Sequence, residues 1–305
     1  MGSSSWSKDA YSTLKKDYST KATADIFTSK SKVSAILDPK GLKFRESRDS
    51  DAHPKSLAVS IWLDVTGSMS DIPVYLIKNK LNIVLETLID KGFKDAQVMF
   101  GAIGDHECDR WPLQVGQFEC GTPELVKSLA DINLEKGGGG NAGESYLLSW
   151  LVAGRYTSID CFEKRGEKGI LFTIGDEPCL MEVPGKKIQE LLGLSECPAD
   201  VTAKQLFEEA SRLYHIYHID INHGYRSSDY IIGSWKELIG ENLILCDDKD
   251  LIPELIATTV GMINGIDISR MTSSFDSSTK HAVSTALATI QSSITKSANT
   301  GIVKL

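Results

Sequence analysis

The sequence predicts an α/β protein with a doubly wound, mostly parallel central sheet flanked by helices. Three observations predict it. Nearly continuous apolar runs alternate with segments of helical period over about 200 residues, as expected for strands buried on both faces. Three of these runs end on an acid, at Asp64, Asp105 and Asp176. The composition, 41% hydrophobic and 24% charged over 305 residues, suits a real core and excludes global disorder.

Residues 1–55 read as an N-terminal arm rich in Ser, Thr, Lys and Asp. Its isolated apolar residues cannot close a core alone, so the arm is either flexible or docked on the main domain. Tyr11, Leu14 and Tyr18, at i, i+3 and i+7, permit a short amphipathic helix.

Residues 56–265 carry the alternation. Leu57 to Leu63 is the first strand and ends in Asp64, and Ile72 to Lys91 then has helical spacing, with Gly92 as its stop. Gln97 to Ile103 is the second strand, followed by Gly104-Asp105, and Leu113 to Phe118 is a shorter one suited to an edge. Thr122 and Pro123 open a helix, as N-cap and first residue. Gly137 to Gly140 is a four-glycine loop, and a helix from Ala142 to Tyr156 follows it. Gly169 to Ile174 is the third long strand, ending in Gly175-Asp176. Helices are expected at 186–192, 203–213, 228–239 and 249–264, and strands at 214–221 and 243–245. Residues 266–305 form a Ser/Thr-rich tail in which Val283, Leu287, Ile290 and Ile294 predict one amphipathic helix.

Composition narrows the function. With 33 basic against 41 acidic residues, the net charge of −8 argues against a nucleic-acid binder. No run of ~18 apolar residues spans a membrane, and the first residues lack the charged and apolar regions of a secretory signal. The six cysteines contain no CxxC and read as reduced, mostly buried thiols, so a cytoplasmic location is expected.

In an open α/β sheet, ligands bind beyond the carboxyl ends of the strands. Carboxylates gathered there repel one another unless a proton or a metal neutralises them. Asp64-Val65-Thr66-Gly67-Ser68-Met69-Ser70 sets an acid and hydroxyls at alternate positions of a strand-to-helix turn. Such oxygens are hard ligands, suited to Mg²⁺, Mn²⁺ or Ca²⁺ rather than Zn²⁺. The rival reading is a plain N-capping turn. The group His215, His218, Asp220, Asn222 and His223 also has metal-like composition, but strand alternation points His215 and His218 to opposite faces.

Asp64-x-Thr66-x-Ser68 after an apolar strand resembles the metal-ion-dependent adhesion site of intracellular von Willebrand factor A domains. The resemblance covers about residues 57–265. It implies Thr66 and Ser68 as direct ligands, Asp64 in the coordination sphere, and Asp176 in Gly-Asp-Glu-Pro as the acid after a later strand. The family's further Thr ligand has no match, since the glycine-rich loop reads Gly137 to Gly140, Asn141, Ala142, Gly143, Glu144. Asn141 or Glu144 could supply that oxygen. A glycine loop followed by an acid is similar to the von Willebrand A domains associated with alpha-kinases, as is Gly104-Asp105-His106. Ser70 and Asp105 are then rim or outer-sphere candidates.

The function this implies is a non-enzymatic binding module. A bound divalent cation, Mg²⁺ first, takes an exposed Asp or Glu of a partner protein. The alternative is an accessory subunit of an AAA+ ATPase or other large assembly. A metal-dependent phosphohydrolase fits less well. Thr66 stands where a dehalogenase-like enzyme needs a second acid, and neither a phosphate-binding P-loop nor a Gly-x-Ser-x-Gly elbow occurs.

Overall fold

Six strands form the central sheet of the computed structural model: β1 (Leu57–Asp64), β2 (Ala96–Ile103), β3 (Leu113–Glu119), β4 (Gly169–Gly175), β5 (Tyr214–Ile221) and β6 (Leu243–Cys246). The structure describes residues 4–27, 32–135, 143–221 and 229–292. Across the sheet the order is β6-β5-β4-β1-β2-β3. All neighbours are parallel except β2 and β3, so β3 is the antiparallel edge strand. The expected doubly wound α/β class is therefore observed.

The apolar runs explain themselves once both faces are covered. Every residue of β1 is buried. Its alternate side chains feed two separate cores, Val59, Ile61 and Leu63 on one side and Ala58 and Trp62 on the other. The first core is closed by the helices Leu81–Asp90, Thr122–Ala130 and Ile252–Ile263, the second by Leu147–Arg155, Gly185–Leu192, Ala203–Ala210 and Asp229–Ile239. Among the described residues, no helix is long and apolar enough to cross a membrane.

The described arm is docked. Its helix Lys8–Ser19 is capped by the Ser7 hydroxyl, and Tyr11 is buried with its own hydroxyl donating to the Ile77 carbonyl at 3.2 Å. Arg45–Ser47 pairs in parallel with Thr157–Ile159, and the Arg48 guanidinium donates to Asp160 at 2.8 Å and Glu163 at 2.6 Å. The tail supplies the helix Ser277–Ala286, and Val283, Leu287 and Ile290 join the first core. Ile294 lies outside the described residues.

Four sequence expectations need correction. Thr122 is not an N-cap: Gly121 holds that position, and the Thr122 hydroxyl instead accepts from the Ser7 amide at 2.7 Å. A tertiary partner has captured the group that local statistics assign to the helix. The segment 72–91 is not one regular helix, because a π-helical turn, Leu76–Lys80, separates Ile72–Tyr75 from Leu81–Asp90. Leu76 and Leu81, five residues apart, are both buried, which matches the wider repeat. The helix expected from Ala142 starts only at Leu147, because the backbone of Glu144 bridges to Cys179. Of the six cysteines only Cys161, Cys179 and Cys246 are buried.

Candidate functional site

The strand order dictates where a crevice opens. From β1 the chain goes to β2 on one side, and the strand on the other side of β1 is β4, reached later. Loops therefore part between the carboxyl ends of β1 and β4, the switch point of the sheet. Asp64 ends β1, and Asp176 directly follows β4. Both are buried, as are Thr66 and Glu144.

The turn after β1 is built by its own residues. The Asp64 Oδ1 accepts the Thr66 amide at 2.8 Å and the Thr66 hydroxyl at 2.7 Å. Gly67 then has φ of 36°, in the left-handed region, and a 3₁₀ turn Gly67–Asp71 begins. The backbone of Ser68 and Ser70 lies in that turn. Thr66 occupies its N-cap position but makes no side-chain capping bond, so a plain capping turn does not describe it.

The Thr66 hydroxyl also lies 3.0 Å from Glu144 Oε1. Glu144 is held by its backbone, which donates to the Pro178 carbonyl and accepts from the Leu180 amide, each at 2.9 Å. A hydroxyl has one proton and cannot donate to Asp64 and Glu144 together. The contact closes when Glu144 itself carries a proton and donates to Thr66, or when a cation draws in all three oxygens. Glu144 Oε2 is buried and, among the described residues, has no hydrogen-bond partner. Of the two candidates for the missing ligand position, the structure brings in Glu144; Asn141 lies outside the described residues.

Electrostatics agree with this geometry. Burial, then the charge of Asp64, pushes the Glu144 carboxyl up to about 9. Burial lifts Asp64 to about 7, against the pull of its Thr66 hydrogen bonds and with the help of the Asp176 charge. With no cation nearby these acids hold protons, so the pocket favours positive charge. Among the described residues, no three His, Cys, Asp or Glu side chains gather as a metal-holding group. The donor set is instead mixed, two carboxylates sharing a hydroxyl, and the orphaned Glu144 oxygen fits a hard cation.

Tyr146 was not singled out by the sequence. It is fully buried, and its hydroxyl donates to Asp64 Oδ2 at 3.1 Å. A Cβ on Gly175 would sit 1.8 Å from that hydroxyl oxygen, so the glycine ending β4 makes room for it. Only its place two residues after Glu144, on the fringe of an apolar helix, hinted at a polar task.

The remaining candidates do other work. Asp105 is buried at the end of β2, where it accepts the Glu107 amide at 2.8 Å, and its charge reaches Glu144. His106 bonds Ser145. His215 and His218 do face opposite sides of β5, and burial drives His218 well below its ordinary value, leaving it neutral. Asn222 and His223 lie outside the described residues.

Neither a protein-family model nor a curated relative matches the sequence. Among solved structures, the chain is similar to the pilus adhesin SpaC of Lactobacillus rhamnosus GG in its open conformation, with 10% identity and a TM-score of 0.46 over 76% of this chain and 31% of that one. It is also similar to proximal thread matrix protein 1 of the mussel byssus, at 10% identity and a TM-score of 0.38 over 70% and 48% of the two chains. A von Willebrand factor type A protein from Catenulispora acidiphila matches at 15% identity and a TM-score of 0.36, over 68% and 43%. The chain spans less than half the length of each of these structures.

Proposed function

We propose that this chain is a non-enzymatic binding module whose switch-point crevice holds a divalent cation, Mg²⁺ before Mn²⁺ or Ca²⁺, and takes a carboxylate from a partner protein. The observation that carries the reading is the oxygen chain Asp64–Thr66–Glu144, with Glu144 Oε2 buried and unpaired. Asp64, Thr66 and Glu144 would hold the ion, with Asp176 beside them and Ser68 and Asn141 as further oxygen donors. A cation bound there supplies an electrophile with room for an incoming Asp or Glu.

The chain's own residues prepare that encounter. The Thr66 amide and the Tyr146 hydroxyl fix the two oxygens of Asp64, so the carboxylate is oriented before any ligand arrives. Burial thins the water that would screen the charge. A net charge of −8 opposes an acidic partner at a distance, and a divalent cation that neutralises two crevice acids would relieve that repulsion locally.

The test is affinity capture from a lysate with and without chelator, read by mass spectrometry, beside calorimetry with Mg²⁺, Mn²⁺ and Ca²⁺. The reading expects chelator and Asp64→Ala each to release the same protein, and Asp64→Ala to abolish cation binding. Equal cation binding by wild type and Asp64→Ala, or capture insensitive to metal, would overturn it.

A further inference from the structure

Behind the oxygen chain lies a stack of aromatic rings that the binding reading does not use. Tyr146 meets His218 edge-on at 5.0 Å between ring centres and Trp235 at 5.3 Å. His218 lies flat on Trp235, with ring centres 3.6 Å apart and planes 12° from parallel. All three side chains are fully or almost fully buried. Each has a polar anchor at a different point of the crevice wall. Tyr146 donates to Asp64 Oδ2 at 3.1 Å. His218 Nδ1 meets the Thr173 hydroxyl of β4 at 2.9 Å. Trp235 Nε1 donates to the Glu177 carbonyl at 3.1 Å, one residue beyond Asp176.

We propose that Tyr146 is a positioning residue for the cation site, and that the Tyr146–His218–Trp235 stack fixes Asp64 relative to the turn carrying Asp176. The inference rests on the cation reading above. The physics is that of an outer coordination sphere. An acid whose second oxygen is held by a rigid donor presents its first oxygen in one direction and loses little freedom on binding. Tyrosine suits the place because its ring can be locked by packing while its hydroxyl reaches the acid. Gly175 keeps the path open, since any side chain there would strike the hydroxyl. The stack also gives the helix Asp229–Ile239 a mechanical link to the site.

The test compares the full chain with Tyr146→Phe and Trp235→Phe, with Asp64→Ala as the reference for a lost site. Mn²⁺ affinity is read from the free-ion electron paramagnetic resonance signal, and folding from melting in EDTA. Tyr146→Phe keeps the ring and removes one bond, so Mn²⁺ affinity should fall about tenfold while the melt in EDTA moves little. Trp235→Phe, which drops the anchor on Glu177, should lose affinity by a smaller factor. Wild-type affinity in both variants, with Asp64→Ala inactive, overturns this inference and leaves the cation reading standing. No Mn²⁺ binding by the wild type overturns both.

Discussion

Replacing Glu144 by Gln probes the site where its electrostatics are most exposed to measurement. The Thr66 hydroxyl oxygen is 2.7 Å from Asp64 Oδ1 and 3.0 Å from Glu144 Oε1, so both carboxylates lie within the span of those two contacts. Two unit charges roughly 5 Å apart, at an effective dielectric of ~20, repel by about 3 kcal/mol. The wild type escapes part of this by keeping a proton on Glu144, which burial and Asp64 push up to about 9, so the figure is an upper bound. Glutamine imitates that protonated acid. Its N–H₂ donates to Thr66, whose one proton stays free for Asp64, and no charge remains to repel. In EDTA at pH 8 the variant should therefore be at least as stable as the wild type, with a gain of up to about 3 kcal/mol. Mg²⁺ at a hundred times its dissociation constant should stabilise the wild type by about 2.7 kcal/mol and the variant far less. Urea midpoints with and without Mg²⁺ read both effects. A variant that is less stable in EDTA and keeps the full Mg²⁺ response would refute the reasoning.

Three further outcomes rest on particular contacts. Gly175→Ala drives a Cβ to within 1.8 Å of the Tyr146 hydroxyl and 3.0 Å of Asp64 Oδ2; it should cost about 1–3 kcal/mol in a melt and abolish the Mg²⁺ response. Tyr11→Ala empties a buried ring site and removes the bond to the Ile77 carbonyl, so urea denaturation should show a loss of about 3 kcal/mol; a loss below about 0.5 kcal/mol would mean that the arm does not stabilise the domain. Burial raises Asp160, but Lys164, the Asp49 amide and Arg48 outweigh it and hold the carboxyl at about 2, so its stabilisation is complete above the ordinary value near 4 and is lost as pH falls through 2. Urea midpoints between pH 5 and 2 should lose about 2 kcal/mol in the wild type, less whatever solvent screens at Arg48 and Lys164, and Asp160→Asn should flatten that part of the profile.

What was legible in the sequence is what period and strand ends encode. The long strands are nearly continuous apolar runs because two cores cover the sheet, and β5, Tyr214–Ile221, begins and ends as its pattern says. Asp64, Thr66 and Glu144 were legible because an acid and hydroxyl at alternate positions mark a turn, and because only a few oxygens follow the glycine loop. Tyr146 was not, since in a single sequence it reads as one more apolar residue of the helix ending at Arg155. Its task is visible only when β4 brings Gly175 against it. Thr122 failed for a similar reason, as its hydroxyl answers to Ser7, 115 residues away. The docked arm was left open because its apolar residues, Tyr11, Ile26 and Phe27, are too sparse to make a core and find one only in the rest of the domain.

The fold contains its own control for the crevice. At the opposite flank, Asp49 and Asp160 are also drawn out of water, and the chain meets them with Arg48, Lys164 and Arg165, each within ion-pair distance. There the net effect on both acids is downward, and the charges are balanced from within. At the switch point the acids are buried too, yet among the described residues no Lys or Arg pairs with Asp64 or Glu144. Both are pushed up instead. A sequence with 33 basic residues could place one there, as it does beside Asp160. Leaving the position without one costs stability in the empty protein, and such local costs are tolerated where a ligand removes them. A proton on Glu144, whose carboxyl is pushed up to about 9, balances part of the crevice at neutral pH, and the proposed divalent cation would take that proton's place. Asp64 and Glu144 thus lack, among the described residues, the basic partner that Asp160 has, and the proposed cation would supply that charge.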